Sequence, residues 1–238
     1  MPVSKSDFVR ALQCEKMLWL DAHAPEYKII PPEVQARLDA GNEFGDTAMG
    51  IFEAFTETTS LKEDGRLNYS AMLEKTKELL ENGERVICEA SFSWYGNFCA
   101  ADILKREEKG YVLYEVKNAF TARKEFIVDL GFQRFLLRKC GVPVPSCKLI
   151  LRGDEPPADY PQKADEPFER EEFVESNGFR YRIVDVTRGA RLAEKTVSER
   201  IFSYGKLKRK DAPQPTIGVG THCETPYRCW YYDFCHKE

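Results

Sequence analysis

The chain reads as a mixed α/β fold: a helical N-terminal section, a central meander extended into a mixed β-sheet flanked by helices, and a C-terminal helix with a cysteine-rich tail. Three observations predict it. Residues 4–20 repeat apolar side chains at helical spacing, with Phe8, Ala11, Leu12, Leu18 and Trp19 on one face. Between residues 85 and 117 the period drops to two and β-branched and aromatic residues accumulate. A strand–helix–strand run follows, which implies a right-handed crossover and a parallel pair within the sheet.

Ser4 is the expected cap of the first helix, residues 4–20. Pro31 and Pro32 open a second, read to residue 55, since the fixed φ of proline suits a first helical turn. Residues 68–80 form a third, capped by Asn68 or Ser70. Strands are expected at 85–95, 97–106 and 111–117, with Tyr95-Gly96-Asn97 and Lys109-Gly110 as turns. A helix over 123–140 leads to a fourth strand, 143–151. Residues 153–175, rich in Pro, Asp and Glu without a period, read as a surface excursion. A strand at 179–186, a helix at 188–204 and an extended arm at 211–220 bring the chain to its last cysteines. No internal repeat is visible. The expectation is a single domain, 1–238, made of a helical section (1–82), a core (84–152), the excursion (153–178) and a C-terminal helix with the cysteine tail (179–238).

Lys and Arg number 35 against 39 Asp and Glu, a formal net charge of −4, which excludes coating nucleic acid by bulk charge. Local positive charge remains for phosphate contacts in Lys206-Leu207-Lys208-Arg209-Lys210 and in Arg134, Arg138 and Lys139 along one helix. A solvated helix surface explains each cluster equally well. The chain shows no charged-plus-apolar leader and no apolar run of membrane-spanning length, so a cytoplasmic protein with reduced thiols and no membrane association is expected. There, clustered cysteines bind metal more often than they bridge. Cys223, Cys229 and Cys235 are equally spaced among aromatics and suit zinc or an iron–sulfur centre, but either needs a fourth ligand: His222, His236 or Cys14. Cys88, Cys99, Cys140 and Cys147 lie in apolar patterns and read as small core residues.

The meander carries the candidate chemistry. Asp102 lies in its second strand, and Glu115 and Lys117 share a face of the third because side chains alternate along a strand. Two carboxylates on neighbouring strands can hold a hard cation such as magnesium, and a lysine beside them can orient water or stabilise developing charge. Glu89 on the first strand could add a third carboxylate. Taken alone, Glu-x-Lys on a strand is more often an exposed ion pair of little energetic weight.

The order Glu89, Asp102, Glu115-x-Lys117 and then a helix bearing Gln133 resembles the RecB-like branch of the PD-(D/E)xK nuclease superfamily. The resemblance implies a restriction-endonuclease-like core and a metal-dependent deoxyribonuclease, an exonuclease in expectation, acting on DNA with a single-stranded region or an end. It implies Mg2+ or Mn2+ held by Asp102, Glu115 and the Val116 carbonyl, with Lys117 in the attack and Glu89 and Gln133 completing the site. One branch of these nucleases ties its chain ends with a [4Fe-4S] cluster on one early and three late cysteines. Cys14, Cys223, Cys229 and Cys235 match that arrangement, with zinc as the alternative. The CRISPR-adaptation exonuclease and the AddB nuclease domain are more distantly similar. Many active members carry a histidine metal ligand on an early helix, and here Gly41-Asn42-Glu43 puts Asn42 in its place. The aromatic that often follows the motif glutamine is Leu137. An amide is a neutral, weaker ligand, which opens a second expectation: a weakened or inactive nuclease fold that grips DNA or a partner protein. Either way the implied setting is a larger system for DNA repair, defence or spacer processing, with partner proteins.

Overall fold

A computed structural model of the chain describes residues 1–158, 160 and 164–237. Among these, seven strands form one sheet: β1 (Thr56–Glu57), β2 (Val86–Trp94), β3 (Asn97–Glu107), β4 (Gly110–Val116), β5 (Ser146–Arg152), β6 (Arg170–Ser176) and β7 (Phe179–Asp185). Their spatial order is β1-β2-β3-β4-β5-β7-β6. The β2–β3–β4 meander is antiparallel, as its alternation and tight turns predict. Beyond it, β4 and β5 pair in parallel across a connecting helix, so the sheet is mixed.

Seven α-helices are described: α1 (Lys5–Gln13), α2 (Glu15–His23), α3 (Pro32–Met49), α4 (Tyr69–Glu81), α5 (Lys124–Lys139), α6 (Thr187–Leu207) and the short α7 (Tyr232–Cys235). One face of the sheet carries the larger core, where Phe8 of α1, Leu130 and Phe132 of α5 and Ala190 and Val197 of α6 meet Ile87, Leu104, Leu113 and Leu149. The other face packs Phe44, Ala48 and Met49 of α3 on Val86, Ile103, Val112, Tyr114 and Ile150. A third cluster joins Met17 and Leu20 of α2 to Tyr231, with Cys14, Cys229 and Cys235 packed against them.

Four expectations need correction. The first helix is two, broken at Cys14, whose φ of −159° and ψ of 114° are extended. Ser4 does cap α1, in a reciprocal capping box with Asp7. The second helix ends at Met49, and Gly50 closes it with bonds back to Ala48 and Thr47, six residues short of the predicted end at 55. That frees the following segment to lay β1 along β2, a two-residue strand too short to show a period. The excursion over 153–178 is not wholly irregular, because β6 forms a hairpin with β7 at the sheet edge. Its alternation is masked because nearly every side chain on it is exposed, as suits an edge strand. Finally, Cys140 is exposed, whereas Cys88, Cys99 and Cys147 are buried as predicted. It stands at the C-cap of α5, where the helix has already left the core.

Candidate active site

The three predicted carboxylates fall on one line across three strands. In the β2–β3 ladder Cys88 pairs with Ile103 and Ala90 with Ala101, so Glu89 and Asp102 occupy the rung between, but they are not themselves ladder partners. The β3–β4 ladder ends at Ile103 and Tyr114, which leaves Asp102 and Glu115 facing each other one step beyond. The cause lies partly in the backbone. Glu89 has φ of +54°, a left-handed conformation that costs energy for a side chain of this type. Ile87 before it and Ala90 after it both face the larger core, so the inside–outside alternation shifts by one residue there. On β3 the same shift separates Ala101 from Leu104. Thr58 and Ser91 hold the turned peptide by donating hydroxyl hydrogen bonds to the Glu89 carbonyl, at 2.5 and 3.1 Å. On the other side the Val116 N–H donates to Asp102 Oδ2 at 2.7 Å, in place of a ladder bond.

Glu115 is the centre of the cluster, with a side chain only 1% exposed. Lys117, one residue past β4, reaches Glu115 Oε1 at 2.6 Å and Asp129 of α5 at 2.8 Å. Lys5, the first residue of α1, reaches Glu115 Oε1 and Oε2 at 2.9 and 3.1 Å and stands 3.8 Å from Asp102 Oδ1. Gln133 Nε2 donates to Glu115 Oε2 at 2.5 Å, while its Oε1 is buried without a partner. Burial pushes the Glu115 carboxyl up, but the Lys117 and Lys5 ammonium groups outweigh it and bring it down to about 2. Burial and the neighbouring Glu115 push Asp102 up to about 6 against the pull of Lys5 and Lys117. Glu89, half-buried and beside Asp102, is pushed up to about 8 by its loss of solvent and the Asp102 charge. Lys117 is raised well above its ordinary value despite burial, because Asp129, Glu115 and Asp102 surround it.

The structure thus brings Asp102, Glu115, Lys117 and Gln133 together and sets Glu89 on the next strand of the same rung. Asn42 is not brought in: it is exposed on α3, the helix on the opposite sheet face, and no hydrogen bond joins it to these groups among the described residues. Val116 pairs with Ile150 of β5 and donates its N–H to Asp102. Lys5 and Asp129 were missed by sequence reasoning. Asp129 was within reach of it, lying four residues before Gln133 and so on the same helix face. Among the proposed phosphate contacts, Arg134 is buried, bonded to the Val144 carbonyl and paired with Glu194, and Lys208 is paired with Asp7 at 2.7 Å. Both hold the fold together. Lys139 stays exposed, its ammonium over Trp94.

At the chain ends, Cys14, Cys223, Cys229 and Cys235 line one small cavity together with Met17, Leu20 and Tyr231. Burial raises the thiols of Cys14 and Cys235 and brings Cys229 up to about 11, with repulsion among the four sulfurs adding to it. Among the described residues no three His, Cys, Asp or Glu side chains close on a point tightly enough to hold one metal ion. No family model matches the chain, and no curated protein matches it. No helix among the described residues is long and apolar enough to cross a membrane.

Proposed function

We propose that this chain is a metal-dependent deoxyribonuclease of the iron–sulfur RecB-like type, working from DNA ends or single-stranded regions. The observation that carries the reading is the single rung of Glu89, Asp102 and Glu115 with Lys117 in direct contact with Glu115. The unpartnered Gln133 oxygen, buried beside those carboxylates, fits a site that takes a further ligand. Asp102 and Glu115 would hold Mg2+ or Mn2+. When bound, such an ion polarises a phosphoryl oxygen and acidifies water. Gln133 fixes the Glu115 carboxylate by its amide hydrogen bond. Lys117, held charged by Asp129 and Glu115, orients the attacking water and stabilises charge building on the phosphate.

For the chain ends the proposal is a [4Fe-4S] cluster on Cys14, Cys223, Cys229 and Cys235, with zinc as the alternative. Four cysteines around one cavity supply the thiolate set. The raised thiols imply that binding releases protons.

The test is cleavage by anaerobically purified protein of end-labelled linear and circular DNA, single- and double-stranded, in magnesium and in manganese. Wild type should degrade linear DNA, and Lys117→Met should lose at least about 100-fold, the usual weight of a group acting on charge in the transition state. Equal rates for the two proteins would assign the activity elsewhere. A second reading, a non-cutting module that grips DNA or a protein, is favoured by the exposed position of Asn42. DNA retained without cleavage in either metal would select it.

A further inference from the structure

Glu115 is over-subscribed by cations. Its two oxygens receive Lys5 at 2.9 and 3.1 Å, Lys117 at 2.6 Å and the Gln133 amide at 2.5 Å. Lys117 has a second anchor in Asp129, and Gln133 is held within α5. Lys5 differs: its ammonium sits between Glu115 and Asp102, bonded to the first and 3.8 Å from Oδ1 of the second. That is the position between two carboxylates where a divalent cation would sit. An ion at about 2.1 Å from the same oxygens would lie within direct contact of the ammonium nitrogen, so the two cannot share the cradle. At such range a divalent ion and an ammonium repel strongly, with little water between them to screen it.

We propose that the Lys5 ammonium is the resident counter-ion of the carboxylate site and that a divalent cation binds there only by displacing it. This inference rests on Asp102 and Glu115 forming the cation site proposed above. The backbone around Lys5 is held in place: the Val3 N–H donates to Asn97 at 2.8 Å, Ser4 bridges to Phe98, and the terminal amine of Met1 reaches the Gly205 carbonyl. Displacement therefore swings the side chain and not the helix. A four-carbon stem allows it, and the side chain is already 21% exposed, so a way to solvent exists. The device would keep buried carboxylates neutralised while no metal is bound, at the cost of weaker metal binding.

The experiment compares Mn2+ binding, followed by the electron paramagnetic resonance signal of free Mn2+, in wild type, Lys5→Met and Asp102→Asn. Lys5→Met keeps the apolar stem and removes the charge, and it should bind Mn2+ at least roughly tenfold more tightly than wild type. Asp102→Asn should bind more weakly than either. In parallel, acetic anhydride labelling of wild type, read by mass spectrometry, should modify Lys5 several-fold faster with Mn2+ than without. Exposed Lys77 serves as the unchanged control. Should Lys5→Met fail to fold, the labelling of wild type decides. Binding in Lys5→Met equal to or weaker than wild type, or Lys5 labelling indifferent to Mn2+, overturns the displacement while Asp102-dependent binding leaves the metal reading intact. Absence of Mn2+ binding in all three proteins sinks both.

Discussion

Glu89 shows at the scale of one residue how a site can be built against stability. Its left-handed backbone and its carboxyl, half-buried beside Asp102, are both unfavourable, and Thr58 and Ser91 hold the peptide there regardless. Because its folded value, about 8, lies above the ordinary 4.5, the folded state holds this proton where the unfolded state has released it. The unfolded state then binds fewer protons across that window, so stability falls as pH rises through it. We expect the melting temperature of metal-free protein to decline between pH 5 and pH 8, and Glu89→Gln, which mimics the protonated form, to flatten that decline. A Glu89→Gln profile with the wild-type slope would show that the dependence comes from other groups.

At the scale of elements, α5 does the positioning: its buried face presents Asp129 and Gln133 to the sheet, and its other side lies against α6. Gly131 allows the close approach. A Cβ there would come within 2.5 Å of Ala193 Cβ and 3.0 Å of the α6 backbone at Glu194. In a free helix alanine would be favoured over glycine by about 0.8–1.0 kcal/mol, but overpacking costs about 1–3 kcal/mol and the backbone atoms cannot rotate away. Because the clash includes backbone, the overpacking falls in the upper part of that range, about 2–3 kcal/mol, so Gly131→Ala should destabilise by a net of about 1–2 kcal/mol in urea unfolding, with partial recovery in Gly131→Ala/Ala193→Gly. A neutral or stabilising Gly131→Ala would mean that the two helices are free to move apart. The break between α1 and α2 is the other decisive element feature, since it turns Cys14 out of the helical register towards the tail.

For the molecule as a whole, hydrogen bonds within the protein join the two ends of the chain. Gln13 donates to the carbonyls of His222 and Tyr227, Tyr231 donates to Asp21, Trp19 donates to the Ala212 carbonyl, and the Ile29 N–H donates to the Trp230 carbonyl. Each such bond contributes about 1 kcal/mol net, so together they can hold the tail in place. Cys14→Ser should accordingly lose the brown colour of an iron–sulfur protein while the tail stays docked, measured as unchanged resistance of the segment around Tyr231 to trypsin. Proteolysis of that segment in Cys14→Ser would show instead that the cluster is what closes the ends. A colourless wild-type protein with one zinc per chain under anaerobic handling would replace the cluster by zinc.

Amino-acid order alone determined the mixed α/β class, the antiparallel meander, the helix between β4 and β5, and the placing of Asp102, Glu115 and Lys117 on neighbouring strands, because periodicity and turn residues act over a few positions; Gln133 joined that set only through the family resemblance. The order also placed Ser4 as a cap and paired Cys14 with the distant tail cysteines as candidate ligands. Only the tertiary structure decided that Lys5 meets Glu115, a contact 110 residues apart in the chain, and that Asn42 lies away from the carboxylates. Likewise β1 and β6 exist because partner strands are there to pair with, since neither has a buried alternation of its own. The physical reason is common to all of these. Local spacing says which face of an element a side chain lies on, whereas its charge partners depend on sheet register and on where each helix docks, and both are set by burial of the whole core.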